Sequence, residues 1–352
     1  MLGFRLERAP APLWLRGFIP ILAILVTFVL VSVLILAAGA NPLDTFYQLL
    51  ILPLTKATSR AEILVKATPL LLTGVAVAFA FASGYYNIGA EGQLYAGATV
   101  AAFLGTQLEG VSPLLAIPVM ILGGFIAGAL WALPSAILKV RLGVDEVVTT
   151  LLLNSVMIFF ASALLNGPWR DPISNWPQSP TIAASAQFPQ LFARTRIHFG
   201  FVLAILAVAA LWWVFARTRF GLDVRAAGLG SEAARFMGVR VGRVMLLAAL
   251  ISGGVAGVAG VSEVAGTQLH LIEGISPGYG YTAIIIATLG GLTAPGVALA
   301  ALFLALVDVG ILSASRELGI PTYLGEIIQA MLLLVTLALL LLNRYRLRRA
   351  RA

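Results

Sequence analysis

The sequence contains no cysteine and only two histidines, His198 and His270, among its 352 residues. The absence of cysteine excludes disulfides, thiolate metal sites and a cysteine nucleophile. Two histidines are too few for a histidine-based metal cluster, and they do not form an HExxH pattern. Charge is also scarce, since 11% of the residues are charged, against about 25% in soluble domains. The composition therefore argues against a soluble enzyme and against a metal centre.

Apolar residues make up 60% of the chain and recur in runs long enough to cross a bilayer as helices. The predicted fold is all-α, a polytopic transmembrane bundle of about ten spans with broken or re-entrant helices. The candidate spans are residues 18–38, 63–83, 88–106, 113–138, 147–165, 199–216, 244–265, 281–292, 296–313 and 323–342. The first is too long for a signal-peptide core and is interpreted as a retained anchor, while 281–292 is short enough to be a half-helix.

Positive charge is concentrated in segments that share one side of the membrane if the spans alternate. Three arginines precede the first span, two cations lie in 139–141, six arginines lie in 217–243 and five close the chain, which together make 16 of the 23 lysines and arginines. This bias predicts that both termini are cytoplasmic and that the chain is a multi-pass plasma-membrane protein. Residues 1–17 and 343–352 are then cytoplasmic tails around one transmembrane domain, 18–342. The placement of the +8 net charge argues against nucleic acid as a partner.

The stretch GYYNIGAEGQLYAG, residues 84–97, places Asn87, Glu91 and Gln93 between two apolar runs. A carboxylate at membrane depth costs at least about 2.5–3.5 kcal/mol, so it is expected to face protein or water. Asn87 is positioned to cap a helix that starts near Ile88, with Glu91 in its first turn. We interpret the stretch as an interrupted or re-entrant segment that belongs to a gate or pathway. A purely structural cap and turn is the alternative.

Other polar residues within the spans raise the same question. Glu146, Thr150 and Asn154 are four residues apart and share one helix face, while Glu263 and Asp308 lie in later spans. A polar stripe suits a water-filled path, and carboxylates at span ends also serve as solvated groups or dipole partners. The candidate pathway or gate residues are Asn87, Glu91, Gln93, Glu146, Thr150, Asn154, Glu263 and Asp308.

The segment 217–243 combines six arginines with apolar residues and is predicted to be a cytoplasmic loop containing a short helix. Ser231 can cap this helix, Glu232 suits its first turn, and Gly238 can end it in a left-handed conformation. A helix this short needs a partner surface, although an amphipathic segment lying on anionic lipid is an alternative. No GxxxxGK(S/T) loop is present, so the chain does not hydrolyse ATP by that route. A docking element on a chain without an ATPase motif indicates that the ATPase is another chain.

Several stretches resemble the permease subunits of bacterial ABC importers for simple sugars and nucleosides. They are NIGAEGQLYAGA at 87–98, LKVRLGVDEVVTTLLLN at 138–154, RAAGLGSEAARFMGV at 225–239, ISGGVAGVAGVSEVAG at 251–266 and GYGYTAIIIATLGG at 278–291. The resemblance covers roughly residues 60 to 340, in order and with compatible spacing. It departs from the family at Gly230 and Asp145, where asparagine is common.

The resemblance implies a permease that pairs with a second, related permease, and a cytoplasmic ATPase that holds ATP and Mg and docks on the loops. It also implies an extracytoplasmic solute-binding lipoprotein, lipid around the spans, and no cofactor in this chain. The segment from Gly221 to Gly238 would receive the motion of the ATPase. The candidate coupling residues are Gly221, Arg225, Gly228, Ser231, Ala233, Ala234, Arg235, Phe236 and Gly238.

The predicted function is therefore that of a transport subunit rather than an enzyme, moving a nucleoside or simple sugar inward. A permease for branched-chain amino acids is the nearest alternative within this class. An ion-coupled secondary transporter is a second alternative, in which Glu91 or Asp308 would be the coupling carboxylate. An intramembrane hydrolase is disfavoured because both histidines lie near the outer span boundaries.

Overall fold

The computed structural model describes residues 4–8, 13–341 and 345–349, and its regular secondary structure is helical apart from a short two-stranded ribbon. Parts of the two predicted tails, residues 1–3, 9–12, 343–344 and 350–352, lie outside the described residues. The longer helices are α1 (Leu13–Ala37), α4 (Ala57–Ala82), α5 (Ala90–Gln107), α6 (Pro113–Ile137), α7 (Glu146–Asn166), α8 (Phe199–Arg217), α11 (Val241–Ser262), α13 (Ala294–Leu318) and α14 (Leu324–Leu341). The shorter ones are α2 (Pro42–Phe46), α3 (Leu52–Thr55), α9 (Arg219–Leu229), α10 (Ser231–Phe236) and α12 (Tyr279–Leu289). Three π-helical stretches, Tyr47–Ile51, Leu138–Leu142 and Glu263–Gln268, and one 3-10 turn, Ala184–Ala186, complete the helical structure.

Each of the ten apolar runs found in the sequence coincides with a helix. Among the described residues, seven helical stretches are long and apolar enough to cross a membrane. They are Phe18–Ala37, Ala57–Ala82, Pro113–Leu142, Glu146–Asn166, Phe199–Arg217, Val241–Gln268 and Ala294–Leu318. Helices α12 and α14 are apolar but shorter. A polytopic helical bundle is therefore the architecture of this chain.

The chain divides into two units, and the first combines its two ends, residues 1–55 and 306–352. In this unit, strand β1 (Phe4–Arg8) pairs antiparallel with β2 (Tyr345–Arg349). Helix α1 packs against α14, and Gly310 in α13 approaches the backbone of Leu49 so closely that a Cβ would lie 2.0 Å from its carbonyl oxygen. The ribbon is an addition to the all-α expectation. A single transmembrane domain over 18–342 stays a prediction.

The second unit, residues 56–305, has its core where α11 packs against α5 and α6. The glycine-rich stretches 123–128 and 253–260 meet there. A Cβ on Gly257 would lie 2.2 Å from the carbonyl oxygen of Gly124, and one on Gly128 would lie 2.1 Å from that of Gly253. Small residues let membrane helices approach at backbone distance. Close packing therefore explains why glycine clusters in these two spans.

Helix α12 is a half-helix that begins beside the middle of α4. The hydroxyl of Thr73 in α4 donates to the carbonyl oxygen of Tyr279, at a distance of 3.3 Å. With 11 residues, α12 is about 16 Å long at 1.5 Å per residue, and it ends at the turn 290–293. The irregular residues 269–278 and the first turn of α12, together residues 269–282, are named the re-entrant segment. The short length of helix α12 was predicted from the length of the apolar run 281–292.

We expect Gly257→Ala to destabilise the chain by about 1–3 kcal/mol, because the added methyl group overlaps the backbone of α6. The measurement is the thermal denaturation midpoint of the purified chain in detergent. Gly230→Ala is the control, since a Cβ there meets only the Cβ of Ala233, at 3.8 Å. Equal midpoints for the two variants would contradict the close packing of α6 and α11.

Candidate functional site

The stretch between α4 and α5 is a bend whose polar side chains are buried. Gly84 has a φ of +80°, a conformation that favours glycine. Asn87 is fully buried and accepts the Gly89 N–H on Oδ1 at 2.9 Å. Its Nδ2 donates to Gln93 Oε1 and to the hydroxyl of Ser252 in α11, each at 2.9 Å. Helix α5 begins at Ala90 rather than near Ile88, so Asn87 braces the turn before the helix instead of acting as its N-cap.

The polar stripe on α7, Glu146, Thr150 and Asn154, forms hydrogen bonds with this bend. Glu146 Oε1 accepts the N–H of Tyr86 at 3.3 Å, and the Thr150 hydroxyl accepts the N–H of Ile88 at 3.2 Å. Asn154 accepts the Gly92 N–H at 2.8 Å and donates to the Ile88 carbonyl at 2.9 Å. Three side chains spaced by four on one helix thus pair with backbone groups in the bend and in the first turn of α5. Glu146, Thr150 and Asn154 therefore stabilise the bend, and their role in a translocation path stays a prediction.

Glu91 joins the first turn of α5 to the first turn of α12. Its carboxylate is 2% exposed and accepts the Gly280 N–H at 2.7 Å, and it also bonds to the side chain of Ser276. The Ser276 hydroxyl accepts the N–H of Tyr279 at 2.9 Å. The two helix starts nearly touch, because a Cβ on Gly280 would lie 2.1 Å from the Glu91 nitrogen. A carboxylate is favoured at this position by the positive ends of two helix dipoles.

A second set of polar side chains, which is not among the candidate pathway residues, lies on the same unit. Glu273 is exposed in the re-entrant segment, and its carboxylate bonds to Ser162 and Asn166 near the end of α7. Tyr281 is 39% exposed and bonds to Asn154. A signal was available, because Ser162 and Asn166 continue the spacing of four begun at Glu146. Each step of four turns the stripe by about 40°, so it winds from the buried face of α7 towards an exposed one.

The two remaining candidate carboxylates lie elsewhere. Glu263 is buried at the start of the π-helical stretch, in the electrostatic field of Lys66 and Arg196. Arg196 pairs with Glu62 at 2.6 Å, and Lys66 donates to the Tyr279 hydroxyl at 3.3 Å. Asp308 belongs to the first unit, where it accepts a hydrogen bond from Gln329 of α14 at 2.6 Å.

One side of the 217–243 loop packs onto the body of the second unit. Gly221 and Ala234 are buried, and Arg225 donates to the Phe215 carbonyl at 2.9 Å. A Cβ on Gly228 would lie 2.2 Å from the carbonyl oxygen of Ala82, the last residue of α4. The loop therefore contacts the point at which α4 gives way to the bend at Gly84.

The other side of the loop is exposed and apolar. Phe236 is 97% exposed and Leu229 is 91% exposed, with Ala233, Arg235 and Met237 also at the surface. Ser231 is the first residue of α10 and its side chain caps nothing, so the expected serine cap is wrong: Gly230 is the N-cap. Gly238 has a φ of +87°, as its predicted role in ending the helix requires. Sequence reasoning did not predict α9, which precedes this helix.

Comparison with known proteins identifies the family. A family model described as branched-chain amino acid transport system / permease component matches residues 59–337. The chain belongs to this family of ABC importer permeases. The resemblance noted from the motifs is thereby confirmed, and the permease is a multi-pass inner-membrane protein. No match was found among solved structures.

Three relatives whose names state a solute are similar to this permease. It is 35% identical to the glucose ABC transporter permease protein of Haloferax volcanii over 96% of this chain and 92% of that one. It is 33% identical to the guanosine ABC transporter permease protein of Bacillus subtilis, over 78% and 79% of the two chains. It is 29% identical to a nucleoside ABC transporter permease protein of Lactococcus lactis, over 90% and 89%. The permease is therefore a transport subunit rather than an enzyme.

We expect Asn154→Ala to lower the stability of the permease, because the Gly92 N–H and the Ile88 carbonyl both lose their side-chain partner. A buried polar group left unpaired costs about 1–3 kcal/mol. Thermal denaturation in detergent measures the effect. Ser155→Ala is the matched control, since Ser155 is exposed on the same helix. If both variants have the same denaturation midpoint as the wild type, α7 does not stabilise the bend.

Proposed function

We propose that this permease forms the translocation path of an ABC importer for a neutral, hydroxyl-rich solute, either a nucleoside or a simple sugar. The observation that carries the proposal is the naming of its relatives, since the glucose and guanosine permeases are each at least 33% identical to it. Both named solutes are neutral and carry several hydroxyl groups. A branched-chain amino acid, the solute in the family description, has a carboxylate and an ammonium group and is disfavoured by the same comparison.

The proposed orientation follows the positive charges. Ten crossings, of which the re-entrant segment and α12 together make one, place both termini and the 217–243 loop in the cytoplasm and the 166–198 segment outside. ATP and Mg bind a separate cytoplasmic ATPase, a lipoprotein delivers the solute from outside, and a second, related permease completes the path. General support for the ATPase and the binding protein comes from membership of the ABC permease family.

The path wall is proposed to include the exposed face of the re-entrant segment. Glu273, Pro277 and Tyr281 are spaced by four and are all exposed. A charged group at or near membrane depth is costly against lipid, and irregular backbone is tolerated there only beside protein or water. This face is therefore directed towards water or towards the second permease. Asn87, Glu91 and Gln93 are buried behind this face, where they are proposed to hold the starts of α5 and α12 together.

The 217–243 loop, named the coupling loop, is proposed to transmit the motion of the ATPase to the bend at 84–92. Its exposed side, Leu229 and Phe236, offers an apolar surface to the ATPase. Its packed side reaches Gly84, because a Cβ on that glycine would lie 3.3 Å from the Cα of Gly228. A displacement of α9 and α10 is thus transmitted to the bend at 84–92 and, through Glu91, to α12. This arrangement gives a mechanical route from ATP hydrolysis to alternating access.

The test is ATP-dependent solute uptake into vesicles that contain the permease with its ATPase, its second permease and its binding protein. We expect Phe236→Asp to abolish this uptake while membrane insertion stays normal, because a charge replaces an apolar contact with the ATPase. Ile173→Asp is the control, since Ile173 is 92% exposed in the 166–198 segment. Unchanged uptake by Phe236→Asp would contradict the docking role. Uptake by the permease alone on an ion gradient would favour a secondary transporter instead.

A further inference from the structure

The Glu273 carboxylate is held in one orientation while one of its oxygens stays available. The Ser162 hydroxyl and Asn166 Nδ2 both donate to Oε1, the amide at 2.7 Å. The same amide nitrogen also donates to the Ser162 carbonyl at 3.0 Å, which fixes the asparagine against α7. Among the described residues, no side chain or backbone group donates to Oε2, and Glu273 is exposed. An oriented acceptor is thus presented at the surface.

The position of this cluster relates it to the path. Ser162 and Asn166 lie in the last turns of α7, whose first turn contacts the bend at 84–92, so the cluster is at the end of the unit opposite the coupling loop. Glu273 is eight residues before Tyr281 on the exposed face of the re-entrant segment. A solute that enters from the side opposite the ATPase would meet this cluster before it reaches Tyr281.

An aromatic pair adjoins the end of α7. Phe103 and Trp169 stack with ring centroids 5.8 Å apart and planes 5° from parallel. The backbone N–H of Trp169 donates to the Leu164 carbonyl at 2.9 Å, which holds this residue just beyond the last turn of α7. Phe103 is half exposed. Sites for small molecules commonly combine apolar or aromatic surface with a few placed polar groups, and Trp169 follows Asn166 by three residues.

We propose that Glu273, oriented by Ser162 and Asn166, forms a subsite that accepts hydrogen bonds from hydroxyl groups of the passing solute. The ligand class is a polyhydroxylated molecule, because the free carboxylate oxygen accepts a hydrogen bond from a hydroxyl group, and it is the neutral solute of the proposed function, because the cluster includes no cation to pair with a solute carboxylate. The subsite rests on the proposed function, and it assigns recognition of the solute to the permease as well as to the binding protein.

The experiment compares uptake of D-glucose, D-ribose and guanosine with uptake of their 2-deoxy counterparts by the complete importer. Each rate is measured at saturating solute, where the binding protein is filled in both cases and the difference reports passage through the permease. The variants are Glu273→Gln and Glu109→Gln. The second is the matched control, because Glu109 is an exposed carboxylate in the connection after α5, at the same end of the unit.

We expect the wild type to transport one parent solute faster than its 2-deoxy form, by about tenfold for one charge-assisted hydrogen bond. Glu273→Gln reduces that ratio towards one, whereas Glu109→Gln keeps it. Equal slowing of both solutes by Glu273→Gln would indicate a structural or docking role and overturn the subsite. An unchanged ratio would also overturn it. If the wild type imports none of the three solutes, the proposed function itself fails and the subsite fails with it.

Discussion

The structure depends on one constraint: backbone N–H groups that leave a helix inside a membrane protein need partners other than water. The bend at residues 84–92 is where this constraint is most severe. Glu146, Thr150 and Asn154 accept three of its N–H groups from one face of α7, and Asn87 accepts a fourth. An unpaired buried amide costs about 1–3 kcal/mol, so this set of side chains is what allows α4 and α5 to be separate helices.

The same bend links the two ends of the proposed mechanism. On one side it contacts Gly228 in the coupling loop, and on the other Glu91 is bonded to the start of α12. Gly84 and Gly228 have no side chains, so the backbone of the coupling loop lies directly against the backbone of the bend. In the proposed mechanism, this contact passes a displacement of the loop to the bend. The buried carboxylate of Glu91 joins the starts of α5 and α12 through its bond to the Gly280 N–H, and its role in the transport cycle stays a prediction.

The sequence predicted the parts of the fold that depend on local pattern. Apolar runs gave the ten long or half-length helices, and Gly238 and the length of 281–292 gave the ends of α10 and α12. It did not predict the ribbon between the chain ends or the partners of the α7 stripe, because pairing between distant segments leaves no local period. The serine cap failed because Gly230 was available one residue earlier. The pairing of Glu273 was not predicted because its partners, Ser162 and Asn166, are more than 100 residues away.

The central claim is that the exposed face of the re-entrant segment meets water in the path, and the absence of cysteine makes it directly measurable. Single replacements Pro277→Cys and Tyr281→Cys, with Leu152→Cys and Phe159→Cys on the exposed apolar face of α7 as controls, are treated with a charged, membrane-impermeant thiol reagent in the assembled importer during ATP turnover. The account predicts labelling at positions 277 and 281 and none at 152 and 159. Absence of labelling at 277 and 281, with labelling at the α7 positions, would contradict it.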